Sequence, residues 1–236
     1  MSKLNDEIRC NKCYEIPQIE LIPKNGNLCI KKTCFCGQKI LSFNTFKNNI
    51  VNIDFSILNF IQEHIRNSFL DPVMMVLSYM GEYGVFWILL AIILLFFRKT
   101  RAAGVCVLAA MALGFLCGDI IIKHIVARPR PFLLNPSVNM NIPGPTSYSF
   151  PSGHSTSAFA AVTALFGMLK EKRWIAYSGL VLAILIVFSR MYNYVHYPSD
   201  ILGGITLGII TGLFMVFIFK KTKLDKRLSG ELKKNN

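Results

Sequence analysis

The sequence predicts an all-α integral membrane protein, a six-helix transmembrane bundle with a small Cys-rich N-terminal appendage. Three observations predict it. More than half of the 236 residues, 53%, are hydrophobic. They gather into six blocks, at 69–80, 84–97, 102–126, 155–169, 174–191 and 201–219, where a soluble core would scatter them. The cations cluster where those blocks end. The net charge of +13 therefore reads as anchoring at an anionic membrane face, and no nucleic-acid partner is expected.

Residues 1–50 are polar and charged, hold five of the seven cysteines, and give no sign of a cleavable signal peptide. In residues 54–67, Phe55, Leu58, Ile61 and Ile65 recur at helical spacing against Gln62, Glu63 and Arg66, which predicts a helix lying on the membrane surface. Asp71-Pro72 reads as an N-cap followed by a first-turn proline. A full crossing takes about 20 apolar residues. Blocks three and six reach that length, and blocks four and five come close with their flanks. The first two are short and flank Gly81-Glu82-Tyr83-Gly84. They are read as a tilted hairpin; a single kinked helix is the alternative and changes the span count. Gly204, Gly208 and Gly212 in block six, with Gly203, are read as a helix-packing stripe. The chain then divides into the appendage (1–50), a transmembrane domain (51–220) and a basic tail (221–236).

Arg98-Lys99-Thr100-Arg101, Lys170-Glu171-Lys172-Arg173 and Lys220-Lys221 fall on one side of an alternating bundle. The positive-inside rule makes that side cytoplasmic. With six crossings both termini are cytoplasmic. The end of block three, the loop 128–151, the start of block four and the turn between blocks five and six then share the outer side.

Three motifs meet there. Pro151-Ser152-Gly153-His154 opens a helix whose free N–H groups favour an anion. Gly153 lets that anion approach, and His154 can protonate a leaving oxygen. Lys123, Arg128 and Arg130 follow block three; held by prolines, an arginine can bind phosphate oxygens in bidentate fashion, while lysine acts as a point charge. Asp119 lies one turn before Lys123 and either tunes it or finds a backbone or interhelical partner. Ser189-Arg190 precedes His196 and Asp200, four residues apart around Pro198. A carboxylate on one imidazole nitrogen fixes the tautomer and leaves the other basic, which describes an activated nucleophile. Glu82 and Asp200 are the acids nearest this outer boundary, too few for a magnesium cluster.

Lys123-x6-Arg130-Pro131, Pro151 to His154, and Ser189-Arg190-x5-His196-x3-Asp200 together resemble the signature of the type 2 phosphatidic acid phosphatase superfamily, over roughly residues 54–220. The resemblance implies a six-helix membrane bundle and a metal-free phosphatase. It implies that His196 attacks phosphorus to give a phosphohistidine, that Asp200 orients it and that His154 protonates the leaving group. Lys123, Arg130, Arg190, Ser152 and the Gly153 backbone would hold the phosphate oxygens. It also implies a lipid phosphate substrate. Undecaprenyl pyrophosphate, hydrolysed to the monophosphate, is the first expectation; phosphatidylglycerol phosphate and phosphatidic acid stay open. A polyprenyl-phosphate transporter or binding protein would explain the basic pocket but not the pairing of Asp200 with His196.

Cys10, Cys13, Cys34 and Cys36 read as a four-thiolate zinc ribbon, with Cys29 a competing ligand and free thiols the alternative. A reducing cytoplasm would favour zinc over disulfides. The appendage could dock a cytosolic partner. Cys106 and Cys117 are read as packing residues.

Overall fold

The computed structural model describes residues 18–24, 27–34, 37–42 and 45–230. Strands β1 (Gln18–Lys24), β2 (Asn27–Cys34) and β3 (Gly37–Ser42) form an antiparallel sheet in the order β1-β2-β3. The remainder is helical. α1 (Thr45–Phe60) runs into a π turn, Ile61–Ile65. α2 (Leu70–Met80) and α3 (Val85–Phe96) flank the short turn Glu82–Gly84. α4 (Arg101–Phe115) continues through π-helical turns at Leu116–Ile122 into α5 (Lys123–Val126). α6 (Pro131–Leu134), α7 (Gly153–Met168), α8 (Arg173–Tyr192), α9 (Pro198–Lys221) and α10 (Leu224–Ser229) complete the chain.

Among the described residues, three helical stretches are long and apolar enough to cross a membrane: 101–134, α8 and α9. A fourth is added if α2 and the 82–96 stretch cross as one broken unit. These two helices are bent by 49° at Gly81–Gly84. A hairpin would nearly reverse direction, so the geometry is that of the kinked-rod alternative. Tyr83 (φ 49°) and Gly84 (φ 69°) make the break in left-handed backbone.

Tight packing sets the centre. Trp87, Cys106, Val107, Leu165, Ala183 and Ile186 are buried where α3, α4, α7 and α8 meet. Cys106 is thus the packing residue expected, and Cys117 is half-buried. α9 crosses α7 on the predicted glycine stripe. A Cβ on Gly204 or Gly208 would come within 2.6 Å of the Ser152 or Thr156 carbonyl oxygen on α7, so only glycine permits this approach. Outward faces stay apolar, with Ile93, Phe96, Val181, Ile210, Leu213 and Phe217 exposed. In a chain with such spans these faces meet lipid, and the protein is a membrane protein.

Two details near the N-terminal side differ from the sequence reading. The surface helix starts at Thr45, earlier than the apolar periodicity suggested, and Leu58 and Ile61 of its apolar face are buried against the protein itself, in clusters with Tyr194, Tyr197 and Tyr192. The start of α2 is capped by Asn67, whose side-chain oxygen accepts from the Phe69 and Leu70 N–H groups at 3.1 and 2.9 Å. Asp71 does not cap. It accepts from the Tyr192 hydroxyl and from Asn141 Nδ2, both at 2.8 Å, tying α2 to α8 and to the long loop.

The larger correction concerns the two ends of the bundle. α1 docks beside the start of α9: Asp54 Oδ1 accepts from the Ser199 N–H at 2.9 Å. From there α9 runs 24 residues to Lys221, about 36 Å at helical rise. Arg98, at the end of α3, lies against Gly230. The basic segments after α3 and α9 therefore share one end, and α1 sits at the other. With α2 and α3 counted as one broken crossing, α1 and the C-terminal tail lie at opposite ends of the bundle, which differs from the arrangement expected of six crossings.

Candidate active site

Four structural devices bring the motif residues together at the α1 end. The π-helical turns at Leu116–Ile122 turn Asp119 and Lys123 toward α7; such insertions recur at functional sites. Ala127, at φ 46°, ends α5 and redirects the chain into Arg128-Pro129-Arg130-Pro131. α7 begins at Gly153. Tyr194, at φ 56°, turns the chain after α8 so that His196 points back under it.

They enclose a cavity of about 420 Å³ lined by Lys123, Arg130, Gly153, His154, Arg190 and His196. Lys123, Arg130, Arg190 and both histidines thus face one space, while Arg128 does not line it. Glu82 and Asp119 also reach it, and on one side it continues between Ile88, Leu108, Met111 and Phe115. The polar head of the cavity therefore opens onto an apolar throat.

His196 is 2% exposed. Its Nε2 lies 3.1 Å from Arg130 Nη1, and its Nδ1 lies 3.5 Å from Asp200 Oδ2. That last separation is too long for a full hydrogen bond, and Nδ1 has no other partner. Burial, which penalises the imidazolium, pushes the His196 pKa down to about 3, against the opposing pull of Asp200. The ring is therefore neutral, with one nitrogen on the carboxylate side and the other facing cations.

Asp200 is fully buried and held from several directions. It accepts from the Ser149 hydroxyl, from the Tyr197 N–H at 2.9 Å and from Arg128 Nη1 at 2.7 Å. Arg130 is pinned by the carbonyls of Ser147 and Val195 at 2.7 and 2.9 Å. Arg190 Nη1 donates to the Ser78 hydroxyl, while its buried Nε has no partner. Lys123 pairs with Asp119, the tuning or holding contact anticipated from their spacing. A Cβ on Gly153 would lie 3.1 Å from both Asp119 oxygens, so that carboxylate sits at the mouth of the α7 N-terminus, where an anion is favoured. His154 Nε2 is 3.2 Å from the Ser78 carbonyl and 3.7 Å from Glu82 Oε2.

Ser152 does not line the cavity. It is fully buried, its hydroxyl accepts from the Ser155 N–H at the start of α7, and its own N–H donates to the Asp200 carbonyl. Asp54 comes nearer to the motifs than the sequence suggested, whereas Glu82 and Asp119, both named from the sequence, line the cavity. Asp54 was masked by its place at the edge of an amphipathic segment. One charge beside an apolar stripe was the available signal, but its partner, Arg128, is 74 residues away. Of the proposed zinc ligands, Cys10, Cys13 and Cys36 lie outside the described residues, and Cys34 is described only as part of β2. Among the described residues no metal-holding group of histidines, cysteines and acids is found.

The model of the PAP2 superfamily matches residues 103–223. An undecaprenyl-diphosphatase of Sulfolobus acidocaldarius is 34% identical over 140 residues, spanning 59% of this chain and 66% of that protein. The undecaprenyl-diphosphatase BcrC of Bacillus subtilis is 34% identical over 158 residues, spanning 65% of this chain and 77% of that protein. The crystal structure of a transmembrane PAP2-type phosphatidylglycerolphosphate phosphatase from Bacillus subtilis superposes with a TM-score of 0.60 at 26% identity, covering 80% of this chain and 90% of that one.

Proposed function

The chain belongs to the PAP2 superfamily, and on that premise we propose that it is an integral membrane lipid phosphatase acting on undecaprenyl pyrophosphate. One observation carries the reading. Two histidines and three cations converge on a cavity that continues on one side into an apolar throat, as a phosphate joined to a hydrocarbon tail requires. The relatives named as undecaprenyl-diphosphatases favour the diphosphate. The structural neighbour described as a phosphatidylglycerolphosphate phosphatase favours a second reading, phosphatidylglycerol phosphate.

In this reading His196 Nε2 attacks phosphorus in line with the leaving oxygen, giving a phosphohistidine that water then hydrolyses. Asp200 holds the Nδ1 proton and stabilises the charge the ring acquires. His154, on the opposite wall, protonates the leaving group. Lys123, Arg130, Arg190 and the Gly153 N–H neutralise charge spreading over the transferring oxygens, without a metal. Ser152 serves by building the α7 start rather than by touching phosphate.

The family resemblance implies six transmembrane helices; with α2 and α3 crossing as one broken unit there is one crossing fewer, and the two ends of the chain lie on opposite sides. Basic segments at 98–101, 170–173 and 220–221 place their end in the cytoplasm and the active site on the outer side. α1 then lies on the outer side as well. The domain division is an appendage at 1–50, a phosphatase domain at 51–220 and a basic tail at 221–236. An outward appendage loses the argument from a reducing compartment, so disulfides compete with a structural zinc on Cys10, Cys13, Cys34 and Cys36. A cytosolic partner for it loses its compartment too. Metal analysis of purified protein beside a thiol count under native conditions decides between zinc and disulfides.

Phosphate release from defined lipids in detergent, with and without chelator, tests the activity. Release from undecaprenyl pyrophosphate that chelator leaves intact is expected. Lipid binding with no phosphate released would instead identify a binding or transport protein.

A further inference from the structure

We propose that Asp54 and Arg128 are positioning residues for the nucleophile and set, through Asp200, how basic His196 is. The inference rests on the reading of His196 as the attacking group. Its basis is a buried chain of three charges. Asp54 on α1 is 2% exposed. Its Oδ2 accepts from Arg128 Nη2 at 2.7 Å and also from the Ser199 hydroxyl. Arg128 Nη1 donates to Ser199 Oγ and to Asp200 Oδ1, both at 2.7 Å. Its guanidinium lies 3.8 Å over the Tyr197 ring. The other Asp200 oxygen faces His196 Nδ1.

Arg128 is thus aimed away from the cavity, unlike Arg130. A buried carboxylate–guanidinium–carboxylate row is weak as a stability device, because desolvation offsets most of its attraction. Its charge count has a direct consequence for the nucleophile. Asp200, Arg128 and Asp54 together carry one net negative charge beside the imidazole. As Nε2 bonds to phosphorus the ring becomes cationic, and that negative charge stabilises it. Without Asp54 the row is neutral, since Arg128 cancels Asp200. Without both Asp54 and Arg128 charges, one negative charge is restored.

The other charged groups around His196 do not belong to this row. Arg130, beside Nε2, and Arg190 on α8 both oppose protonation, and His154 faces it from α7. Ser149 and Tyr197 complete the Asp200 shell. Glu82, Asp119 and Lys123 stand across the cavity.

The test uses full-length protein in detergent. Diethyl pyrocarbonate labelling of His196, resolved by peptide mass spectrometry across pH, reads its nucleophilicity without a lipid. Turnover of undecaprenyl pyrophosphate gives kcat and KM in parallel. One unit less imidazole basicity corresponds to about a tenfold effect. We expect Asp54→Asn to slow both labelling and kcat about tenfold, to leave KM unchanged and to move the labelling profile to lower pH. Arg128→Gln should move it to higher pH. The double variant should recover to within about threefold of wild type, the cancellation expected of coupled charges. A merely structural contact predicts the reverse, a double variant worse than either single one. Wild-type labelling in Asp54→Asn, or a double variant below both singles, overturns the inference. If Asp54→Asn does not fold, an unmoved profile in Arg128→Gln overturns it alone. Wild-type protein that releases no phosphate while the labelling pattern holds sinks the phosphatase reading and leaves the charge row standing.

Discussion

The two walls of the cavity are built differently. On the His196 wall the groups are buried and their supports are multiply held: His196 is 2% exposed, Arg130 donates to the Ser147 and Val195 carbonyls, and Asp200 is fully enclosed with three donors on its carboxylate. On the His154 wall the partners are looser. His154 has one carbonyl at 3.2 Å, and Glu82, 3.7 Å away, leaves 43% of its side chain exposed. The lesson concerns preorganisation. The group that must attack along one line is fixed before substrate arrives, whereas the group that meets a variable leaving oxygen stands beside the throat.

Breaking the fixed wall should cost most. His196→Ala is expected to abolish turnover while the protein still inserts and purifies as a folded species. Residual release near the wild-type rate would remove its nucleophilic role. Arg130→Lys comes next. It keeps the charge but loses the fork that grips the Ser147 and Val195 carbonyls, and about a 100- to 1000-fold fall in kcat is expected.

The looser wall should show its character through substrate. His154→Gln should cost about 100-fold or more on a lipid monophosphate, whose alkoxide needs a proton to leave. On a lipid diphosphate the leaving group is itself a phosphate, and the loss should be small. Equal losses on both would mean that His154 binds rather than protonates. Gly81→Ala probes the same wall by steric means. A Cβ there would lie 2.6 Å from His154 Cδ2, and displacing the ring should lower kcat about 10- to 100-fold. Glu82→Gln, an exposed and distant partner, should change kcat by less than about threefold.

A pH profile sharpens the contrast. Because burial lowers the His196 pKa to about 3, its neutral form is present above that value and is lost only as pH falls through it. Between pH 5 and 8 no loss of kcat/KM should trace to His196, and a limb in that window belongs to the substrate. A His196 labelling profile with its midpoint near 6.5 would contradict this.

The motif residues were legible because their chemistry is carried by residue type and spacing alone. Lys123, Arg130, His154, Arg190 and His196 were named from the chain and all reach one cavity. Asp119 and Lys123 pair as four-residue spacing on a helix allows, and the glycine stripe packs as its period requires. For Ser152 a motif position does not say whether a hydroxyl faces a ligand or a helix start, and the structure buries it at the start of α7. The sequence left the first two apolar blocks open between a hairpin and a kinked helix because Gly81 to Gly84 permits either a reversal or a 49° bend, and local composition is the same for both.

The sequence by itself determined the class of the protein, its apolar spans and the chemical inventory of its site, since each follows from side-chain chemistry at short range. Only the tertiary structure decided which end of the bundle receives α1 and that Asp54 reaches Arg128 across 74 positions. It alone made one cation answer to two carboxylates. Contacts between distant segments depend on where whole helices come to rest, and no local pattern of residues encodes that placement.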